Sequence, residues 1–250
     1  MDVITSTKNE TVKYVRSLHD AKGRSVNREL LVEGEKCVRE LIAFHKHGLR
    51  SIFVTEGRFE DVVQEARSEG ARVYTVLPHV MEALCDCKTP QGVAAVAALP
   101  AYETVYDGFI IALDDVQDPA NVGAIIRTAD AAGCSGVALS SGSADAFAPK
   151  AVRASMGSVF HLPVFKTELP GYLAALKSRG SRVVCAHLKG DADFAFDWRH
   201  TCLVIGNESR GVSDAVMTCA TDTVRIPMYG KAESLNAAVA AGILIYKIRT

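Results

Sequence analysis

Almost no net charge is left when the charged side chains of this chain are summed, since 28 Lys and Arg face 29 Asp and Glu for a balance of −1. That balance excludes a uniformly basic surface and leaves room only for a local patch on any nucleic-acid partner. The first 50 residues supply one candidate, with ten Lys and Arg against seven Asp and Glu. Long apolar runs are missing as well. The longest stretches, such as 237–246, are too short and too interrupted to cross a bilayer, so no membrane role is expected. The start, Met1-Asp-Val-Ile-Thr-Ser, has neither the basic residues nor the apolar core of a secretory signal. Seven cysteines are an odd number without framework spacing, which points to a reducing, cytoplasmic home. Cys85-x-Cys87, with His79 nearby, lacks zinc-ligand spacing and reads as packing or turn residues, so no metal is expected. Trp198 is the single tryptophan and lacks the interleaved aromatics of a base-stacking platform. His187, following a strand, reads as structural. Neither G-x-G-x-x-G nor G-x-x-x-x-G-K-S/T occurs, so dinucleotide and P-loop sites have no support.

What is present is ample core material: 48% hydrophobic against 23% charged residues over 250 positions, enough for two ordinary domains. Apolar spacing predicts helices over 7–20, 35–44 and 59–67, strands over 29–33, 51–55, 72–77 and 93–98, and a helix starting at Pro78. Residues 99–107 break both periods. A second alternation follows, with strands over 109–113, 136–139, 162–165, 182–186, 202–205 and 223–226. Helices are expected over 122–132, 150–155, 169–178, from Ser213, and over 234–247. Such alternation predicts an α/β protein with parallel sheets covered by helices on both faces. The boundaries that result are a first domain over 1–100, a linker over 101–107 and a second domain over 108–250.

Three segments of the second domain mix apolar strand ends with small or amide residues, the way α/β proteins build ligand sites at strand carboxyl ends. The first runs from Asn121 through Gly123 to Arg127 (NVGAIIR). Asp118-Pro-Ala is a turn leading into a helix that Asn121 would cap, and Arg127, nearly two turns on, would project from a similar face. Glycine early in a helix costs up to about 1 kcal/mol, so Gly123 suggests a close approach. The second, IGNESRGV, breaks a buried strand at Gly206 and opens a polar loop containing Glu208. Third come Ile226-Pro-Met228, ending a strand on a residue that cannot donate to a ladder, and Ser234-Leu-Asn236. Ser234 would cap the last helix, with Asn236 in its first turn. Apolar Ile226, Met228 and Leu235 could clamp a flat ring while backbone groups read its edge.

In order and near spacing these segments resemble the SpoU (TrmH-like) branch of the SPOUT RNA methyltransferases. Leu30-Leu-Val-Glu-Gly-Glu and Thr89-Pro-Gln-Gly-Val93 resemble the small substrate-binding domain that precedes the methyltransferase domain in many members. That domain is a small α/β fold built like certain RNA-binding ribosomal proteins. The resemblance implies a SPOUT domain whose carboxy-terminal segment threads a loop to form a deep trefoil knot, although knots are nearly absent elsewhere. It implies S-adenosylmethionine as donor and a ribose 2′-hydroxyl as acceptor, in ribosomal RNA before transfer RNA. It implies a homodimer. Arg127, Asn121, Glu208, Ser234 and Asn236 match the family's catalytic positions. Gly206, Ile226, Met228, Leu235 and Leu188 are the expected cofactor contacts. A guanidinium stays protonated, so Arg127 is expected to orient the hydroxyl and steady developing alkoxide charge, not to act as base. Two rivals keep part of this reading: a non-catalytic RNA-binding or assembly factor of the same fold, and a metabolic α/β enzyme that would leave the first hundred residues unexplained.

Overall fold

The computed structural model of the chain describes residues 2–250. Its first elements are β1 (Asp2–Ile4), α1 (Glu10–Ser17), α2 (Ala21–Asn27), β2 (Glu29–Glu33), α3 (Glu35–His45), β3 (Leu49–Thr55), α4 (Glu60–Ser68), β4 (Arg72–Val76), α5 (Pro78–Leu84) and β5 (Val93–Ala98). Next come β6 (Gly108–Asp114), α6 (Pro119–Ala131), β7 (Gly136–Leu139), α7 (Pro149–Ser155), β8 (Val164–Lys166) and α8 (Leu169–Ser178). The chain closes with β9 (Arg182–Asp191), β10 (His200–Gly206), α9 (Asp214–Met217), β11 (Asp222–Val224) and α10 (Ala237–Arg249). No helix among the described residues is long and apolar enough to cross a membrane. All seven cysteines are free.

Two compact units emerge. The first holds the chain up to Ala101 together with Asp145–His161, and the second holds Tyr102–Ala144 with Leu162–Thr250. In the first unit the sheet order is β1-β4-β3-β5-β2, with β1, β4 and β3 parallel and β5 antiparallel to both β3 and β2. The sheet is therefore mixed. Val12 and Val15 of α1 and Val80, Met81 and Leu84 of α5 bury against Phe53, Val76 and Val96. Each such side chain contributes about 1.5–3 kcal/mol on leaving water.

Helix α2 escapes the apolar reading for a physical reason. Its one buried residue is Arg24, while Val26 is 73% exposed. Arg24 donates to the carbonyls of Leu18 and His19 and pairs with Asp145 at 2.6 Å. The same kind of pairing draws Asp145–His161 into the first unit, which an uninterrupted second domain from 108 does not anticipate. Arg153 of α7 reaches Glu33 and Asp86, and His161 reaches Glu40. Charge partners fix this excursion, and hydrophobic periodicity does not register them.

The second unit is the wholly parallel sheet that its alternation predicts, in the order β11-β9-β10-β6-β7-β8. Alternate residues of the strands face opposite layers. Ile110, Ala112, Val183, Cys185, Cys202 and Val204 pack with Leu169, Leu173 and Leu176 of α8 and Val216 of α9. On α6 and α10, Val122, Ile125, Ile126, Ala241, Leu244, Ile245 and Ile248 are buried, and α10 packs on α6 and β10. Strand β9 continues past residue 186 to Asp191, because β11 pairs with it across an irregularity in register between Thr223 and Val224. β11 itself stops at Val224, before the expected end at 226.

Candidate active site

From β6 the sheet grows through β7 and β8 to one side, while β10, β9 and β11 lie on the other. The order reverses between β6 and β10, which is where open α/β sheets leave a crevice at their carboxyl ends. A cavity of about 370 Å³ opens beside that point, over the carboxyl ends of β9, β10 and β11, within the ~300–1,000 Å³ of small-molecule sites. Leu188 of β9, Ile205 and Gly206 of β10 and Val224 of β11 line it, with Ile226, Met228 and Leu235 from the segment before α10 and Leu244 from α10. Glu208, Arg210, Arg225 and Glu233 give the wall charges of both signs.

At Gly206 the backbone itself requires glycine. Asn207 and Gly211 form an antiparallel bridge that folds the loop back, and a Cβ on Gly206 would sit 2.2 Å from the carbonyl carbon of Gly211. Asn207 organises this loop. Its Oδ1 accepts from the N–H groups of Ser209 and Arg210, and its Nδ2 donates to the Asp115 carbonyl at 2.8 Å. Asp114, buried at the end of β6, accepts from the Ser213 N–H at 2.7 Å and anchors the loop's far end. These two anchors were not expected from the sequence. Asn207 does carry a readable signal, an Asx-type turn residue directly after a strand-ending glycine. Asp114 gives none.

The three sequence motifs meet in one hydrogen-bonded chain. Glu208, on the folded-back loop, accepts from the Gln117 and Asp118 N–H groups at 3.3 and 3.4 Å and from Asn121 Nδ2 at 2.9 Å. Asn121 Oδ1 accepts from Asn236 Nδ2 at 3.0 Å, and Asn236 Oδ1 accepts from the Ala238 and Val239 N–H groups. A carboxylate can only accept, so Glu208 fixes which end of the Asn121 amide faces it, and Asn121 then fixes Asn236. Burial pushes the Glu208 carboxyl up, but the bonds from Asn121, Gln117 and Asp118 outweigh it and hold its pKa below the usual glutamate value. The carboxylate lies just ahead of the α6 N-terminus, where the helix dipole also favours negative charge.

Comparison with known proteins bears on this arrangement directly. Residues 108–246 match the profile of the SpoU rRNA Methylase family, and residues 9–95 match the MRM3-like substrate binding domain. Over the full length of both proteins the chain is 37% identical to the Bacillus subtilis 23S rRNA (guanosine(2553)-2′-O)-methyltransferase RlmP. The chain belongs to the SpoU rRNA methylase family. Two solved structures of this family agree with its fold. One is the AdoMet-bound rRNA methyltransferase from Sinorhizobium meliloti (TM-score 0.85, 31% identity, 98% of this chain and 96% of that one). The other is the SpoU methyltransferase AviRb from Streptomyces viridochromogenes with AdoMet (TM-score 0.80, 32% identity, 96% and 97%).

Against the family's pattern, the residues fall into three groups. Gly206, Ile226, Met228, Leu235 and Leu188 all line the cavity, as do Glu208 and Ser234. Asn121 and Asn236 stand behind it in the hydrogen-bonded chain. Arg127 lies apart, on the exposed side of α6, and does not line the cavity. The expectation that Asn121 and Arg127 share a face is overturned: six residues rotate a helix by about 600°, which leaves the two roughly 120° apart. Asn121 accordingly is 8% exposed. Nor does Asn121 cap α6. Pro119 fixes the first helical position, and Asp118 is the cap, accepting from the Ala120 N–H. At α10 the cap is Asn236, not Ser234, because the Asn236 side chain reaches two N–H groups of the first turn. Ser234 sits two residues earlier, exposed, in the segment lining the cavity.

Proposed function

We propose that this chain binds S-adenosylmethionine in the 370 Å³ cavity and methylates a ribose 2′-hydroxyl in ribosomal RNA. The observation that carries the reading is the union of that cavity with the Glu208–Asn121–Asn236 chain at one strand-end crevice. The cavity suits the cofactor on its own terms. Apolar Leu188, Ile226, Met228 and Leu235 offer a slot for a purine, and backbone groups of the glycine-ended β10 stand beside it. The mixed charges of Glu208, Glu233, Arg210 and Arg225 complement an amino-acid end that bears both signs. When bound, the cofactor supplies an electrophilic methyl group. The protein's own tasks are then to place the acceptor hydroxyl in line and to steady the charge that develops on it.

Arg127 is assigned that second task. Its guanidinium cannot serve as a base, and it can hold a hydroxyl or an adjacent phosphate. Since Arg127 does not line the cavity of its own chain, the site is completed in a homodimer, where a second copy contributes across the interface. Helix α10, which packs on α6, exposes Val239, Ile243 and Tyr246 at spacings of four and three. These fall on one stripe, an apolar face suited to a second copy. The family's trefoil knot belongs to the same reading, with the segment before α10 passing through a loop. The first unit selects the RNA, in line with its match to a substrate binding domain. Ribosomal RNA is favoured over transfer RNA by RlmP and by the 23S rRNA (uridine(2479)-2′-O)-methyltransferase of Streptomyces viridochromogenes, 39% identical over 64% of this chain and 60% of that protein. A cytoplasmic setting goes with that substrate and suits seven free cysteines.

The experiment is transfer of labelled methyl from S-adenosylmethionine to unmodified ribosomal RNA and, separately, transfer RNA. A 2′-O-methyl nucleoside appearing in ribosomal RNA alone supports the reading. Arg127→Ala is expected to retain cofactor binding by calorimetry while transfer falls about 10²–10³-fold, the scale of losing one charge-stabilising group. Absence of cofactor binding in the wild-type protein would instead favour the non-catalytic RNA-binding reading.

A further inference from the structure

We propose that Glu33, Cys85 and Cys87 of the first unit form a binding site for one thiophilic divalent cation of the zinc class. Cys-x-Cys spacing does not announce such a site. What the fold adds is Glu33, the last residue of β2, brought against the turn that follows α5. The carboxylate oxygen and the two sulfurs all lie within 4.8 Å of one another. Around a tetrahedral ion with Zn–S bonds of about 2.3 Å, neighbouring ligand atoms stand roughly 3.5–3.8 Å apart, so the three need only a small inward shift.

The turn is already held in shape for this. Glu33 accepts from the N–H groups of Asp86 at 2.6 Å and Cys87 at 3.3 Å, which pins the two cysteines to the carboxylate. Oε2 also takes Arg153 at 2.5 Å, whereas Oε1, which accepts from the Asp86 N–H, keeps a lone pair to offer. A cavity of about 200 Å³ borders the trio, lined further by Cys37, Thr89 and Gln91. It gives a fourth coordination position to water.

Charge closes the argument. Glu33 has a side-chain exposure of 1%, and a buried carboxylate needs compensation, which Arg153 provides while both thiols are protonated. Exchange of the two thiol protons for one divalent ion leaves three negative ligands facing three positive charges, the ion and Arg153. Two protons leave as one divalent ion enters, so the net charge of the cluster, with Asp86 on Arg153 included, is the same in both states. The burial that forbids an isolated thiolate here therefore permits a zinc-bound pair.

The test uses the full chain, stripped with a chelator under reducing conditions, given equimolar zinc, desalted and assayed for metal. Wild-type protein and Cys37→Ser are expected to keep close to one zinc per chain, and Cys85→Ser and Cys87→Ser to lose at least about tenfold in affinity. Circular dichroism confirms that each variant is folded. Cobalt in place of zinc is expected to give thiolate-to-metal charge-transfer absorption that vanishes in the same two variants. Wild-type protein that keeps no zinc would overturn the proposal, as would equal retention by a folded protein carrying both substitutions. Neither outcome depends on methyl transfer.

Discussion

Replacing Asn121 with aspartate changes one atom and reverses the logic of the hydrogen-bonded chain. The wild-type amide donates to Glu208 at 2.9 Å and accepts from Asn236 at 3.0 Å. In Asn121→Asp the new carboxylate can still accept from Asn236 but has nothing to donate. The lost bond to a charged partner is worth about 1.5–3 kcal/mol. Two carboxylates would also face each other, a repulsion of about 4 kcal/mol at 4 Å with an effective dielectric of 20. Glu208 is exposed and can swing toward water, which limits the net loss to about 3 kcal/mol near pH 7.5. For a chain of this size each kcal/mol moves Tm by roughly 2–4 °C, so Asn121→Asp is expected to melt about 6–12 °C below wild type. The sign of the pH effect follows. The paired carboxyls have a folded-state pKa raised above the unfolded value, so the deficit is small below the unfolded pKa and grows as pH rises through the folded one. At about pH 5 the gap should shrink by at least half as the pair shares a proton. Adding Glu208→Gln gives the decisive arm, since its amide can donate to the carboxylate introduced at position 121 while its carbonyl still accepts from Gln117 or Asp118. Thermal melts of wild type, single and double variants at both pH values read all of this. A single variant that melts within about 2 °C of wild type, or a double variant no better than the single, refutes the chain as a structural device.

Gly206→Ala is expected to cost at least about 2 kcal/mol and to abolish measurable cofactor binding by calorimetry, since its Cβ meets backbone and not a movable side chain. Wild-type stability should fall faster than that of Glu208→Gln on acidification. The Glu208 pKa is lowered in the fold, so its contribution is present above the unfolded value and lost as pH drops through the folded one. Acid denaturation curves of the two proteins should converge only once the pH has fallen below the lowered folded-state pKa of Glu208. Ile243→Glu, in the exposed apolar stripe of α10, is expected to shift the mass in light scattering from dimer to monomer with cofactor affinity retained. A dimer that survives it unchanged places the interface elsewhere.

The fold is legible wherever apolar spacing alone decides structure. β2, β5, β7 and α8 occupy the expected residues to the last position, because each is bounded by turn residues or flanked by an abrupt loss of hydrophobic period. α2 is not legible, since a helix that buries one arginine and exposes its valine has no apolar period to read. Asp145–His161 is misplaced for the same reason: its allegiance to the first unit runs through Arg24, Glu33 and Glu40, charged residues far away in sequence. Register-dependent ends, as in β9 and β11, rest on pairing across the sheet, and a local window does not contain that information.

The site divides along a similar line. The cavity-lining residues are legible because strand ends, a ladder-breaking proline and apolar residues beside glycine are local features with a local meaning. The polar residues are found by type, but their roles are not. Asn121 reads as a cap only while Pro119 is given no weight, and proline at the first helical position moves the cap to Asp118 and turns Asn121 inward. Asn236 reads as a residue inside a helix until its side chain is seen to close that helix's first turn. Once both shifts are made, the spacing of the three motifs acquires a reason. Loop, α6 and α10 each contribute one polar group, and the acceptor-only member, Glu208, sets the direction of the other two. A glutamine in place of Glu208 preserves shape and not direction, because its amide can present either end to Asn121. Two arrangements would then compete where wild type has one, and the cost should appear as a looser start to α10 before it appears in global stability. Hydrogen exchange at the Ala238 and Val239 N–H groups, which Asn236 caps, is the measurement that sees it. Faster exchange there in Glu208→Gln, with the α8 amides unchanged, is expected; uniform exchange across both helices would mean that Glu208 acts on overall stability and not on direction.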